Sequence, residues 1–203
     1  MKKILLAGLL LLSGYTVSAQ AVIHHRWPID YFATPEASRW FDHTPQCGYL
    51  CRYDGAGNPG GSGHNGTDIR WNGTRTNVRT GAAGNIYKTL NVCDNNWGPS
   101  TDPCSGYGNQ VRMEHADGKV TIYAHMEKGS VTRPLGTIPC GYSIGIMGNT
   151  GSSTATHLHL EMWGDRYTNP PVCIDHFGGA YSGLVYWVSQ NANGYGKPSM
   201  VCE

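Results

Sequence analysis

The chain has 203 residues, enough for one ordinary domain with short extensions. Charged residues make up 14%, there are 28 Gly, and the formal net charge is +1. That balance excludes a coiled coil, a disordered acidic chain and a basic nucleic-acid-binding domain. With 6 Trp and 12 Tyr beside the glycines, it suits a loop-rich, mostly β domain that works outside the cytoplasm.

Residues 1–19 read as a signal peptide. Lys2 and Lys3 supply a positive start, Ile4 to Leu12 an apolar stretch broken only by Gly8, and Val17-Ser18-Ala19 a small-residue cleavage site. Cleavage is expected after Ala19, with Ala21 as the other candidate. The apolar stretch is too short to span ~30 Å of hydrocarbon. No Cys stands at the cut, so no lipid or membrane anchor is expected on the mature protein. Loss of Lys2 and Lys3 brings the net charge to −1. A secreted or periplasmic location follows, and a monomer is expected.

Residues 20–53 form an N-terminal extension, of which 20–46, with Pro28, Pro35 and Pro45 and no sustained period, is expected to be ordered but irregular. Residues 54–63 are a Gly-dense loop opening the core, which is assigned to 54–163. Val78 to Leu90 can hold a strand and a turn, and 91–108 a long loop rich in Asn, Gly and Pro. A period of two then becomes clear. Val111, Met113 and His115 alternate with Arg112 and Glu114, Asp117-Gly118 predicts a two-residue hairpin turn, and Val120 to His125 is the return strand. Tyr142 to Met147 and His157 to Trp163 are further strands. Residues 164–203, with Pro170-Pro171 and several Tyr and Trp, are too few for a separate binding module. They are expected to pack on the core as a strap, with a glycan-contacting face as the alternative. The fold class expected is all-β and antiparallel, with long loops over one face.

All seven cysteines (47, 51, 93, 104, 140, 173 and 202) follow the cut, and in an exported protein they point to disulfides. An odd number leaves at least one over. Short loops are the easiest to close, which favours Cys47–Cys51, Cys93–Cys104 and then Cys173–Cys202, with Cys140 left over. Cys47-x3-Cys51 lacks the second pair that a zinc site would need.

The chemistry is carried by histidines. In His64-Asn65-Gly66-Thr67-Asp68 the His and the Asp stand four apart, so an extended chain turns both to one side. His157-Leu158-His159 puts two imidazoles on one strand face about 6.6 Å apart, with Glu161 following on the same face. His125 ends the hairpin strand. A catalytic zinc takes three such protein ligands and keeps one position open for water. Two neutral imidazoles and a carboxylate leave the ion with a net positive charge that acidifies the water. One ring of the HLH pair can bind metal while the other reaches water or substrate.

An ordered string joins these features: Gly63 to Ile69, Tyr107 to Val111, His115 to Gly118, Tyr123 to Met126, Ile144 to Gly151 and His157 to Glu161. It resembles the lysostaphin-type zinc metallopeptidases, a family of peptidoglycan endopeptidases, over roughly residues 60–163. The resemblance implies one Zn²⁺ held by His64, Asp68 and His159. It implies His157 as general base and donor to the leaving amine, and His125 as the group that polarises water or stabilises the oxyanion. The groove walls would be the loops 54–63, 91–106 and 148–156. The implied function is a secreted zinc metalloendopeptidase that uses a metal-activated water on peptide cross-links of the wall, with no nucleic-acid partner. The alternatives are a non-catalytic binding or regulatory module on the same fold and a Cys-rich wall protein with a structural zinc.

The chain departs from the family pattern at Ala155-Thr156, where Gly-Pro is usual, at Pro139 to Ser143, and in the insert between Cys93 and Cys104. These touch groove shape and leave open whether glycine bridges or bonds near D-Ala are cut. His24, His25, His43, His115 and His176 show no partner pattern. Residues 20–53 could still cross the groove, with His24, His25 or His43 filling the open metal position. Glu161 either stands behind the metal ligand or is a solvated strand residue.

Overall fold

The alternation at 109–125 builds the centre of the molecule. In the computed structural model, residues 21–30, 36–39, 64–70, 75–95, 103–132, 134–169, 172–176, 186–188 and 199–203 are described. Among them are ten strands and no helix: β1 Glu36–Arg39, β2 Thr67–Arg70, β3 Asn77–Arg79, β4 Gly84–Leu90, β5 Asn109–Glu114, β6 Val120–Met126, β7 Gly136–Ile138, β8 Ser143–Ile146, β9 Leu158–Trp163 and β10 Cys173–Ile174. The all-β antiparallel expectation is met. The main sheet runs β1-β2-β9-β6-β5-β4-β7, with β10 pairing β9 beyond the reach of β2, and β3 pairs β8 in a second, two-stranded sheet.

The hairpin of β5 and β6 is present, but its turn is longer than the two residues expected. Gly118 N donates to His115 O at 2.9 Å and His115 N donates to Lys119 O at 2.8 Å. The loop is therefore Ala116-Asp117-Gly118, with Gly118 at φ 77°, the left-handed residue that three-residue hairpin loops need. The region 20–46 is also not wholly irregular, since β1 pairs antiparallel with β2.

Period two sorts the side chains of the sheet onto two faces. Val111, Met113, Tyr123, Met126, Leu158 and Leu160 enter the main core with Val78 and Ile144 of the small sheet and with Trp27, Ile29 and Trp187 from the two ends of the chain. On the other face Val120, Ile122, Ala124 and Trp163 form a smaller apolar cluster. His159 and Glu161 share this second face by the pleat. The register sets the site. Asp68 on β2 stands opposite His159 on β9, which stands opposite Ala124 on β6.

Two disulfides occur among the described residues, Cys93–Cys104 as expected and Cys140–Cys202. The second corrects the expected Cys173–Cys202 pair and the assignment of Cys140 as the leftover. Cys173 keeps its thiol, which burial beside Glu161 pushes up to about 12. Cys47, Cys51, the 54–63 loop, His43 and residues 1–19 lie outside the described residues.

Candidate metal centre

Two neighbouring strands bring three side chains to one point. His64 precedes β2, Asp68 lies on it, and His159 is its cross-strand neighbour. Asp68 Oδ1 is 3.0 Å from His64 Nε2 and 3.0 Å from His159 Nδ1. One ligand atom from each residue lies within 4.8 Å of the others, and all three residues are buried. Gly66 permits the approach: a Cβ there would stand 2.8 Å from the His159 ring and against the Leu160 carbonyl.

Burial alone would raise the Asp68 carboxyl, but hydrogen bonds from His157, His159 and His64 hold it far below the usual carboxylate range. Burial disfavours a charged His159, yet its hydrogen bonds to Asp68 and Glu161 override this and raise it to about 9. The cluster is thus a concentrated negative site that draws positive charge onto the His159 ring. Two imidazole nitrogens and one carboxylate oxygen are a donor set suited to a divalent zinc.

His157 and His125 flank this cluster. His157 Nε2 is 3.5 Å from Asp68 Oδ1. The His125 ring lies 4.7 Å from that of His157 and 5.7 Å from that of His159. Backbone carbonyls of one loop fix both orientations: His125 Nδ1 donates to Thr150 O at 2.7 Å and His157 Nδ1 to Ala155 O at 2.7 Å. Neutral His125 therefore has a bare Nε2, while His157 turns its Nε2 toward Asp68. Burial, then the neighbouring His157 and His159, lower His125 to about 3, so it is neutral at ordinary pH. His125 also has φ 58°, uncommon for a residue with a side chain. Its N–H donates to Tyr107 O at 2.9 Å, which helps hold that conformation.

The structure thus brings all five predicted positions into one buried group. Glu161 belongs beside them: it is fully buried and faces His159 Nε2 at 3.2 Å, so it is not a solvated strand residue. Spacing alone left its place open. His24 and His25 do not reach the site. His24 Nδ1 lies 3.0 Å from Glu203 Oε2, and the buried His25 ring packs 4.7 Å from His115 and 5.9 Å from His176.

Fold and cluster together define a β-sheet metallopeptidase architecture. Peptidase family M23 matches residues 62–170, just over half of the chain, and the chain belongs to that family, as the lysostaphin-type motifs led us to expect. The DD-carboxypeptidase/endopeptidase Mpg of Neisseria meningitidis serogroup B is 46% identical over 56 residues, 28% of this chain and 13% of that protein. An uncharacterized metalloprotease of Haemophilus influenzae is 38% identical over 66 residues, 32% of this chain and 14% of that protein. The matches therefore span only a small part of these curated relatives. Among solved structures, a chain of the SpoIIQ–SpoIIIAH pore-forming complex superposes with a TM-score of 0.55 at 21% identity, covering 76% of this chain and 89% of that one. A zinc-containing peptidase from Vibrio cholerae gives 0.50 at 22% identity, covering 75% and 39%. At these identities the structures speak for the fold alone.

Proposed function

We propose that the protein is an exported zinc metalloendopeptidase that hydrolyses peptide bonds in the cross-links of bacterial peptidoglycan. The observation that carries the reading is the buried His64–Asp68–His159 cluster flanked by two further imidazoles, His125 and His157, whose Nδ1 atoms are both held by backbone carbonyls. A zinc ion held by those three residues would polarise the scissile carbonyl and acidify a water molecule. His157 Nε2 takes the proton from the attacking water, and the resulting cation returns it to the leaving amine. Neutral His125 has no N–H left for an oxyanion, because Nδ1 is engaged with Thr150. Of its two expected roles, accepting a hydrogen bond from the water at Nε2 and so orienting it is the one that fits.

The substrate class is supported by family membership and by a relative named as a carboxypeptidase and endopeptidase. Export is supported by the disulfides Cys93–Cys104 and Cys140–Cys202, which persist in oxidising compartments. No helix among the described residues is long and apolar enough to cross a membrane.

The test is digestion of purified walls by the protein and its His125→Ala variant, with mass spectrometry of the new termini. The variant is expected to keep its zinc and lose wall digestion by about 10²–10⁴-fold. Digestion unchanged by His125→Ala refutes the assignment. Absence of any new termini from the unaltered protein favours a non-catalytic module. Walls with glycine bridges and walls with direct D-Ala to diamino-acid links, digested in parallel, assign the bond.

A further inference from the structure

Glu161 stands directly opposite Ile122 on β6, on the face where Val120, Ile122, Ala124 and Trp163 cluster. It has no exposed surface. An ionised carboxylate in such a place is strongly unfavourable unless fully paired, and an apolar residue would commonly be as stable or more so. Five groups converge on it. Oε1 accepts from Asn65 Nδ2 at 2.8 Å and from Trp163 Nε1, and lies 3.7 Å from the Cys173 thiol. Oε2 accepts from the Tyr107 hydroxyl at 2.7 Å and faces His159 Nε2 at 3.2 Å.

The last contact has a consequence for His159. With Glu161 accepting at Nε2, the proton of the neutral ring sits there, and Nδ1 is left bare. Nδ1 is the nitrogen turned to Asp68 and the cluster. We infer that Glu161 is a positioning residue that fixes the tautomer and plane of His159 for a divalent metal, held in turn by Asn65, Tyr107 and Trp163. This inference rests on the zinc site proposed above. Tyr107 serves both halves of the site, its hydroxyl holding Glu161 and its carbonyl accepting the N–H of His125.

The test uses the full chain and its Glu161→Gln and Tyr107→Phe variants, with zinc affinity read by chelator competition and stability of the metal-free protein by urea. Glu161→Gln is expected to weaken zinc binding about 10–100-fold. Tyr107→Phe, which keeps the carboxylate and removes one donor, is expected to weaken zinc several-fold. Wild-type zinc affinity in Glu161→Gln overturns the inference, even where the metal-free protein has lost stability, for that is the signature of a structural strut. Should Glu161→Gln fail to fold, Tyr107→Phe decides on the same readout: weakened zinc binding upholds the inference, and unchanged binding overturns it. A wild-type chain that binds no zinc defeats the proposed function itself. Zinc bound equally by all three proteins defeats only the role of Glu161.

Discussion

The histidines away from the metal centre make a sharp prediction about acid stability. His176 is 1% exposed and stacks on Trp187 with ring centroids 5.2 Å apart, and its Nε2 has no hydrogen-bond partner among the described residues. Burial lowers it to about 3, with Asp175 opposing and His115 and His159 assisting. The folded protein therefore holds the ring neutral, whereas the unfolded chain protonates it below about pH 6.5. The folded state loses nothing above that pH. It loses about 1.4 kcal/mol per pH unit as the pH falls from 6.5 toward 3, because unfolding takes up a proton. Between pH 7.5 and 4.5 the loss from His176 alone is roughly 2–3 kcal/mol, against a typical total stability of about 5–15 kcal/mol. His176→Phe keeps the ring and its stack and removes the titration. Urea unfolding of both proteins at pH 7.5 and 4.5 checks this. The variant's stability relative to wild type is expected to improve by roughly 2–3 kcal/mol between the two pH values. A difference that does not change with pH refutes the reasoning.

Two further outcomes follow from the framework. Cys140–Cys202 closes a sequence separation of 62, so replacing both by Ser is expected to remove about 4 kcal/mol of stability, read in urea without reductant. A loss under about 1 kcal/mol shows that the unfolded chain is not constrained as the loop-entropy account requires. A Cβ at Gly66 meets the Leu160 carbonyl and stands 2.8 Å from the His159 ring. Gly66→Ala must shift β2 away from β9, and it is expected to destabilise the protein by about 2 kcal/mol or more and to weaken zinc binding. Chelator competition and thermal melts check both effects, and wild-type zinc affinity in Gly66→Ala counts against the tight β2–β9 approach.

What the sequence disclosed depended on how local the cause was. β5 was legible because its residues alternate between a buried face and a partly exposed one, whereas β6 and β9 are buried throughout and were legible from the hairpin turn after β5 and from the His157-Leu158-His159 alternation. β7 and β10 are only three and two residues long and offer no period to read. His64 and Asp68 could be paired from spacing, but the 3.0 Å approach of Asp68 to His159 depends on the pairing of β2 with β9 across 91 residues. Only the whole motif string pointed to it. The disulfide error has an instructive size. Loop closure favours a separation of 29 residues, Cys173 to Cys202, over the 62 between Cys140 and Cys202 by only ~0.7 kcal/mol. A few buried contacts outweigh that, and the C-terminal residues make them: Trp27 N donates to Ser199 O and Ser199 N to Val188 O.

The same residue type serves opposite ends in this fold, and its neighbours account for the difference. His25, His115 and His176 meet one another, a Thr121 hydroxyl and the Ala83 carbonyl. Burial dominates there, and all three are pushed down, away from charge. His159 is equally buried but sits between two carboxylates, Asp68 and Glu161, and is pushed up to about 9. An imidazole that is cationic without metal is one whose surroundings are built to hold a cation, and a divalent ion satisfies the same field once the proton leaves Nδ1. In sequence, the isolated His115 and His176 and the paired His157 and His159 differ only in spacing. Folded, what separates His159 from the filler is a carboxylate on each side of its ring.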